Sequence, residues 1–556
     1  MHNLTQNREL ADLLFPDIQK TPEYYEMLYP KRQLPEGAKV TRFAPSPTGY
    51  VHMGSLYASL VSERLAHQSN GVFFLRVEDT DKKREVEGGV SNIIRALSRF
   101  GISFDEGVTD VDDEKGSYGP YKQSERMKIY KTFAKRLVEK GLAYPCFCSE
   151  EDLDKIRAQQ EEKKETPGYY GEYAVHRNST LEQVKEELSR GKPFVLRVKA
   201  PNNPDSRFVF KDLIKGDVEM PENFQDIVLL KSDGLPTYHF AHVVDDHLMR
   251  TTHVTRGDEW LPSAPLHVQL FEMLEWEKPY FAHISPIMKM EGSSKRKLSK
   301  RKDPEADVSF YHEQGFPGIS VIEYLANLIN SNFEDWRREN PETPNTSFKI
   351  ELERMSVSGA MFDIVKLTDM SKDIVAHMSA EEVYDMSLEW AEEYDSELWT
   401  LLSRDEKYAK RIFSIDRGGE KPRKDIAKWL DVKPYIFYFF DELFTRDAAE
   451  GYNFPDTIPA DEVNRLIREY AKVYNHSDSK DMWFDRVKEF CEAMGYSKDV
   501  KTFKKNPGAY KGHVGDVRGI IRVAVTNRRN TPDLYEIMQV MGENMVMGRF
   551  DKAINR

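Results

Sequence analysis

The strongest constraint on the fold is a strand, helix and strand pattern near the start of the chain. Lys39–Ala44 has the composition of a short strand, the apolar residues of Ser55–His67 recur at helical spacing, and Gly71–Val77 is apolar enough for a buried strand. These three elements in this order form the unit of an α/β sheet, in which ligands bind beyond the carboxyl ends of the strands. The sequence therefore predicts a binding site in the segments that follow the two strands, Pro45–Gly49 and Glu78–Asp81.

The chain is too long for one domain. Its 556 residues exceed the roughly 250–300 residues at which a single hydrophobic core stops growing. A second α/β stretch follows Asp226, so the sheet is interrupted by an insertion, in which Glu150–Lys164 and Leu181–Arg190 are predicted to be charged helices. The periodicity after Arg301 is helical. Asn332–Ser347 is polar with two prolines and is predicted to be a loop or an insertion. We expect six segments. The first three are a helical extension over residues 1–37, a first half of the core over 38–116 and an insertion over 117–225. They are followed by a second half of the core over 226–290, a region with a basic loop over 291–400 and a helical region over 401–556.

Composition and charge exclude several classes of protein. The net charge of −13 argues against a protein that binds polyanions over its whole surface, but local basic clusters could still meet phosphates. Such clusters occur at Arg417–Arg423, Lys501–Lys505 and Arg528–Arg529. The three cysteines are too few to cross-link a chain of this size, and no apolar stretch is long enough to span or enter a membrane. A reducing, cytoplasmic compartment is expected.

Two separated segments could hold a nucleotide triphosphate. His52 and Gly54 stand at the predicted start of a helix, where the backbone can approach a phosphate and the helix dipole favours negative charge. The basic run Lys295–Lys302 follows Glu291–Ser294, which is typical of a mobile loop, and lysine ammonium groups suit a moving triphosphate. A basic run alone is usually a solvated surface. No P-loop sequence occurs in the chain.

The order of the motifs resembles the bacterial glutamyl-tRNA synthetase family. Thr41–Gly54 and Lys297–Arg301 look like that family's two class I signatures, here in the forms HMGS and KLSKR, and Leu75–Asp81 lies between them. Further similar stretches are Leu235–Tyr238, Val243–His247, Thr255–Trp260, Lys511–Val517 and Arg522–Thr526. The resemblance implies a multidomain fold. A Rossmann-type α/β catalytic core would carry an inserted domain for the tRNA acceptor end, followed by a mostly α-helical stem-contact and anticodon-binding half.

The resemblance also implies site residues and partners. His52, Lys300 and secondarily Lys297 would be catalytic, with magnesium accompanying the triphosphate. The ATP-binding residues would be Pro45, Ser46, Thr48, Gly49, His52, Gly54, Ser55, Leu298, Ser299 and Lys300. The enzyme would act as a monomer on ATP, L-glutamate and tRNA(Glu). Whether it also charges tRNA(Gln) with glutamate, and whether activation needs tRNA, stays open.

Recognition of glutamate needs cations for two carboxylates and an anion for the ammonium group. Arg42 and Arg256 suit the carboxylates because a guanidinium binds them bidentately, and Glu78 suits the ammonium. The resemblance places seven residues around the amino acid, with His242 where many relatives carry asparagine: Arg42, Ala44, Ser46, Glu78, Tyr238, His242 and Arg256.

Cys146 and Cys148 form half of a possible tetrahedral zinc site. Some members of the family complete such a site with a tyrosine, matched here by Tyr169, and a third cysteine, where this chain has Tyr173. Glu172 or His176 could substitute. We nevertheless predict a metal-free site, because structural zinc requires four good ligands.

Three other hypotheses remain at this stage. A glutamine-specific synthetase shares a related core, but its anticodon region is β-barrel rather than helical. A nucleotidylyltransferase is usually one short domain, and a non-catalytic tRNA-binding protein would not need both triphosphate segments. The long helical half also disfavours a shortened relative that modifies a tRNA base.

Overall fold

In the computed structural model, residues 4–47, 51–81, 86–110, 113–201 and 203–555 are described. The chain divides into two compact units. Unit 1 comprises Met1–Phe310 and Ile322–Asp363, and unit 2 comprises Tyr311–Val321 and Ile364–Arg556.

Unit 1 contains the strands of the described chain, in four sheets. They are β1 (Val40–Phe43), β2 (Val72–Leu75), β3 (Glu106–Asp110), β4 (Asp113–Lys115), β5 (Ala143–Cys146), β6 (Val195–Val198), β7 (Arg207–Asp212), β8 (Gly216–Pro221), β9 (Val228–Leu230), β10 (His253–Gly257), β11 (Tyr280–Ile284), β12 (Met288–Glu291) and β13 (Ser294–Lys297).

Two of these sheets form the α/β core. β1, β2 and β3 run parallel, with β4 antiparallel at the edge, and β10, β11 and β7 run parallel, with β8 antiparallel. The amide of Thr252, just before β10, donates to Val40 O of β1 at 2.9 Å and joins the two sheets. The carboxyl ends of β1, β2 and β10 therefore lie along one edge, as the sequence pattern predicted.

Helices cover these sheets and form the rest of unit 1. They are α1 (Leu4–Leu14), α2 (Pro22–Leu28), α3 (Met53–His67), α4 (Gly89–Ser98), α5 (Met127–Glu139), α6 (Glu150–Lys163), α7 (Leu181–Ser189), α8 (Tyr238–Leu248), α9 (Ala264–Met273) and α12 (Phe333–Glu339). Two more, α10 (Val308–Glu313) and α11 (Gly318–Ile329), begin in one unit and end in the other. The predicted helices after Gly54 and over Glu150–Lys164 and Leu181–Arg190 are confirmed as α3, α6 and α7.

Strand pairing does not follow the predicted border between insertion and core. β7 and β8 lie inside the predicted insertion but belong to the core sheet with β11, whereas β9 lies in the predicted core and pairs with β6. The chain thus leaves and re-enters the core sheet more than once. The segment boundaries themselves stay a prediction.

The N-terminal extension is tied firmly to the core of unit 1. Tyr25 packs on Phe133 of α5, with ring centroids 6.4 Å apart. Glu26 accepts from Arg250 at 2.7 Å, and Arg32 donates to both carboxylate oxygens of Glu106 at 2.7 and 3.0 Å. These contacts hold the extension against the core of unit 1.

In the described residues of unit 2 the regular elements are helices joined by loops, and its core is rich in aromatic side chains. Its helices are α13 (Ile364–His377), α14 (Ala380–Tyr394), α15 (Ser396–Arg404), α16 (Glu406–Phe413), α17 (Val432–Ile436), α18 (Asp441–Ala449), α19 (Ala460–Val473), α20 (Lys480–Ala493), α21 (Val500–Lys505), α22 (Val514–Thr526), α23 (Leu534–Met541) and α24 (Glu543–Ile554). In the described part of the chain, no helix combines the length and apolar character needed to cross a bilayer.

Two predicted loops contain regular structure. Asn332–Ser347, predicted to be a loop or an insertion, contains α12, whose Phe333 is fully buried. Glu291–Ser294, predicted to be a mobile loop, forms the turn of the β12–β13 hairpin, with Gly292 at φ 63°, and its mobility stays a prediction. A polar composition could not reveal either feature, because one buried aromatic residue and one turn geometry decide them.

Candidate active site

His52 forms the N-cap of α3. Its Nδ1 accepts from the amide of Ser55 at 3.2 Å, so the neutral ring carries its proton on Nε2. Desolvation, followed by the charges of Lys300 and Lys297, lowers the pKa of His52. The imidazole is therefore neutral at pH 7 and presents an N–H donor beside a helix N-terminus.

The basic segment is held by one buried carboxylate. Asp303 accepts from Arg296 at 2.6 and 2.8 Å, from Lys289 at 3.1 Å and from the amide of Ser299 at 3.0 Å. These contacts, led by that of Arg296, hold the pKa of Asp303 well below its usual range. Leu298 is buried and its amide donates to Ile287 O at 2.9 Å. The segment is thus a positioned loop.

The fold brings the two predicted triphosphate segments together. Asp307 forms a bridge with the backbone of His52, and Lys300 Nζ lies 3.9 Å from the Asp307 carboxylate. Lys297 Nζ lies 3.9 Å from Glu259. Both lysine side chains are partly exposed, and their ion pairs, at 3.9 Å, are weak. A triphosphate can therefore bind these ammonium groups with little loss of free energy from the existing ion pairs.

The segments that follow the carboxyl ends of β1 and β2 are hydrogen-bonded to each other. The amide of Glu78 donates to Pro45 O at 2.9 Å, which joins the two predicted segments directly. Ala44 and Ser46 lie in the same short segment after β1. Burial raises the pKa of Glu78, while Arg76 and Arg42 oppose that shift.

A buried charge network supports the amino-acid side of the site. Arg42 lies 3.3 Å from Asp246, and Arg76 donates to the same carboxylate oxygen at 2.6 Å. Arg76 also donates to Glu78 at 3.2 Å, and Arg126 donates to Asp245 at 2.7 Å. Because buried charges must be paired, this network fixes the positions of Arg42 and Glu78.

Arg256, Tyr238 and His242 complete the predicted glutamate set. The ring of Tyr238 lies 5.8 Å from that of His267, whose Nδ1 is 3.1 Å from Nη1 of Arg256. Burial raises the pKa of Tyr238; the charge of Glu78 adds to the shift, and those of Arg256 and Arg42 oppose it. The rings of Tyr238 and His242 stack at 5.6 Å. Burial, followed by Arg256 and Arg42, moves the pKa of His242 well below its usual value, so this ring is neutral.

Several buried polar atoms here have no hydrogen-bond partner. They include Nη2 of Arg256, both ring nitrogens of His242, Nε of Arg76 and Oδ2 of Asp246. His242 Nδ1 lies 3.1 Å from Asp246 without the geometry of a hydrogen bond. Since a buried unpaired donor costs about 1–3 kcal/mol, such atoms indicate a place for a polar ligand.

Known proteins identify the family. The family model described as "tRNA synthetases class I (E and Q), catalytic domain" matches residues 39–369. The chain is 56% identical to a glutamate–tRNA ligase of Clostridium perfringens over 98% of this chain and 99% of the relative. The chain belongs to the glutamate–tRNA ligase family.

Other similarities to glutamate–tRNA ligases agree with this. A relative of that name from Acetivibrio thermocellus is 50% identical, over 98% of this chain and all of its own length. The crystal structure of a glutamate tRNA ligase from Elizabethkingia meningosepticum in complex with its amino acid has a TM-score of 0.73 and 28% identity, covering 93% of this chain and 99% of that one. The multidomain fold, with a class I catalytic core and a helical second half, is confirmed.

The model "Anticodon binding domain" matches residues 426–554 of unit 2. Several predicted basic residues in unit 2 have structural roles instead. Arg417 donates to three backbone carbonyls, at 2.6, 2.8 and 2.9 Å, and Arg528 pairs with Asp447 at 2.9 Å. Arg529 donates to the backbone of Asn453 and Phe454. Lys501–Lys505, with exposed lysines on α21, is the better candidate for phosphate contacts.

The residues predicted to resemble a zinc site lie close together in the structure. Cys146 lies 3.3 Å from the hydroxyl of Tyr169, and Cys148 lies 3.4 Å from Nδ1 of His176. His176, not Glu172, is the added donor. Tyr173 points elsewhere, because its hydroxyl donates to Glu165 at 2.6 Å.

Thr48 and Gly49, both predicted to bind ATP, lie outside the described residues. Sequence reasoning gave no role to Asp246, Arg76, Asp303 or Asp307. A signal was present for two of them: Arg76 interrupts an apolar strand, and Asp246 lies in Val243–His247, one of the stretches similar to the family. The pairing of Asp303 with Arg296 had no comparable signal.

Proposed function

We propose that the chain activates L-glutamate with ATP and transfers it to the 3′-terminal adenosine of tRNA(Glu). The observation that carries the proposal is that one unit holds both the joined triphosphate segments and a buried cationic pocket. Asp307 forms a bridge with His52 and lies 3.9 Å from Lys300. Arg76 contacts both Asp246 and Glu78, and Arg42 contacts Asp246 and donates to Thr255 O, next to Arg256.

In the first step an oxygen of the glutamate α-carboxylate attacks the α-phosphorus of ATP. The bond from that phosphorus to the bridging oxygen breaks, and pyrophosphate leaves. The neutral His52 donates Nε2–H toward the phosphate, while Lys300 and Lys297 stabilise the charge on the departing pyrophosphate. Magnesium would accompany the triphosphate and screen its charge.

In the second step the terminal ribose hydroxyl of the tRNA attacks the carbonyl carbon of the adenylate, and AMP leaves. Arg42 and Arg256 would bind the two carboxylates of glutamate and Glu78 its ammonium group. Unit 2 supports the binding of the tRNA, because it matches an anticodon-binding domain. We infer a monomeric, cytoplasmic enzyme, in keeping with its three free cysteines.

Charging assays with purified tRNA(Glu) and tRNA(Gln) test the proposal. We expect radiolabelled glutamate to become attached to tRNA(Glu), and pyrophosphate exchange to depend on glutamate rather than glutamine. Exchange measured with and without tRNA shows whether activation needs tRNA. Absence of tRNA-linked glutamate would contradict the proposed function, and charging of tRNA(Gln) would identify a broader tRNA specificity.

The metal-free cysteine site remains a prediction. Its donors fit a tetrahedral ion in spacing, since ligand atoms around zinc lie roughly 3.3–3.8 Å apart. However, among the described residues only Cys146, Cys148 and His176 form a group of thiol and imidazole donors, and Tyr173, at the position of the third cysteine, has its hydroxyl on Glu165. Elemental analysis of protein purified without a histidine tag should find no stoichiometric zinc. One zinc per chain that is lost in H176A but kept in C491S would contradict the prediction.

A further inference from the structure

The buried surroundings of Arg256 are unusual for a cation. Its Nε donates to Nε2 of His283 at 3.0 Å, and its Nη1 lies 3.1 Å from Nδ1 of His267. Among the described residues, no carboxylate forms an ion pair with Arg256. Both partners are imidazoles with no exposed surface.

The hydrogen-bonding capacity of arginine fixes the protonation of these rings. A guanidinium has donors only, so His283 Nε2 and His267 Nδ1 must both act as acceptors. Each neutral ring then carries its proton on the other nitrogen. His283 Nδ1–H donates to Asp212 at 2.6 Å, and His267 Nε2–H donates to Nδ1 of His239 at 3.1 Å.

The remaining contacts keep Asp212 ionised and the rings neutral. Asp212 also accepts from the amides of Ile214 and Lys215 at 2.9 Å and of His283 at 3.0 Å. Despite burial, these contacts, led by that of His283, lower the pKa of Asp212. Burial lowers the pKa of both His283 and His267. The negative charge of Asp212 is therefore separated from Arg256 by the ring of His283.

We propose that Asp212, His283 and His267 are positioning residues that orient Arg256 while leaving its positive charge available, and that they set the preference for a carboxylate over a carboxamide side chain. This inference rests on the proposed function. A carboxylate in contact with Arg256 would neutralise the pocket, as Asp246 does for Arg42. The neutral imidazole acceptors occupy Nε and Nη1 without adding a negative charge, and leave the unpaired Nη2 to an anionic ligand.

The substitution D212N tests the proposal because it preserves shape. The oxygen of an asparagine can still accept from the amides of Ile214 and Lys215, but an NH₂ group in place of Oδ2 would face Nδ1 of His283 and favour the opposite tautomer. His283 would then present Nε2–H toward Arg256 Nε–H, two donors facing each other. We expect the KM for glutamate to rise roughly 10- to 100-fold with a smaller change in kcat, as for other residues that orient a ligand-binding group. The KM for ATP should not change, and the preference for glutamate over glutamine should fall.

Two substitutions of His283 separate orientation from packing. In H283Q the side-chain oxygen can replace Nε2 as the acceptor, so the KM for glutamate should stay within a few-fold of wild type. H283L loses the acceptor and should resemble D212N. Adding D212N to H283L should have little further effect, because Asp212 acts through His283. Equal effects of H283Q and H283L would overturn the proposal.

The matched control is D226N. Asp226 is equally buried in the same unit, but it accepts from Tyr144 and Arg177, not from the Arg256 cluster. Its substitution should lower the thermal stability without changing the KM for glutamate. Calorimetric titration of each variant with glutamate and glutamine gives a readout without catalysis. The titrations are made in the presence of tRNA(Glu). If wild type then binds no glutamate, the proposed function fails as well; if D212N binds glutamate as wild type does, only this inference fails.

Discussion

Replacing Lys300 by alanine should slow adenylate formation about 10²- to 10³-fold, the typical loss when one preorganised charge-stabilising group is removed. Lys300 lies 3.9 Å from Asp307, which is bridged to His52, and the proposed function places the departing pyrophosphate there. Because this interaction strengthens as the bond breaks, the change should appear in kcat rather than in the KM for glutamate. Pyrophosphate exchange in the presence of tRNA(Glu) measures the step directly.

Lys302 provides the matched control for this experiment. It belongs to the same basic run, but its Nζ pairs with Glu291 at 3.3 Å, at the turn of the β12–β13 hairpin. K302A removes the same charge from the loop and should leave the exchange rate within a few-fold of wild type. Equal losses in K300A and K302A would mean that only the net charge of the loop matters, and an unchanged rate in K300A would remove Lys300 from the catalytic set.

The substitution R256A should raise the KM for glutamate sharply. Losing one partner of a buried charged pair costs about 2–5 kcal/mol, which corresponds to roughly 30- to 5,000-fold in affinity. Because Nη2 of Arg256 is unpaired and its other contacts are neutral imidazoles, the positive charge of Arg256 remains available to bind a carboxylate of the ligand. The KM for ATP should be little affected. Steady-state kinetics over a wide range of glutamate concentration separates the two constants.

Arg197 controls for the loss of a buried arginine. It is 7% exposed, compared with 6% for Arg256, and lies in the same unit, where it donates to Asp226 O at 2.9 Å. R197A should destabilise the fold while leaving the KM for glutamate near the wild-type value. A normal KM in R256A would contradict the assignment of Arg256 to the substrate carboxylate.

Much of the core could be predicted from the sequence because its signals are local. Periodicity placed α3, α6 and α7, and the alternation of strand and helix located the binding edge beyond Phe43 and Leu75. The order of the motifs identified the family. Contacts between distant segments carry no periodicity, so the return of β7 to the core sheet and the burial of Phe333 could not be predicted.

The sequence by itself determined which residue types the site contains: a helix-capping histidine, a basic segment, and arginines suited to carboxylates. Only the tertiary structure decided how their charges are used. Arg42 and Arg256 have the same side chain, yet the fold places Asp246 beside the first and two neutral imidazoles beside the second. The physical reason is that the effective charge of a buried arginine depends on what contacts it, and those partners lie far away along the chain.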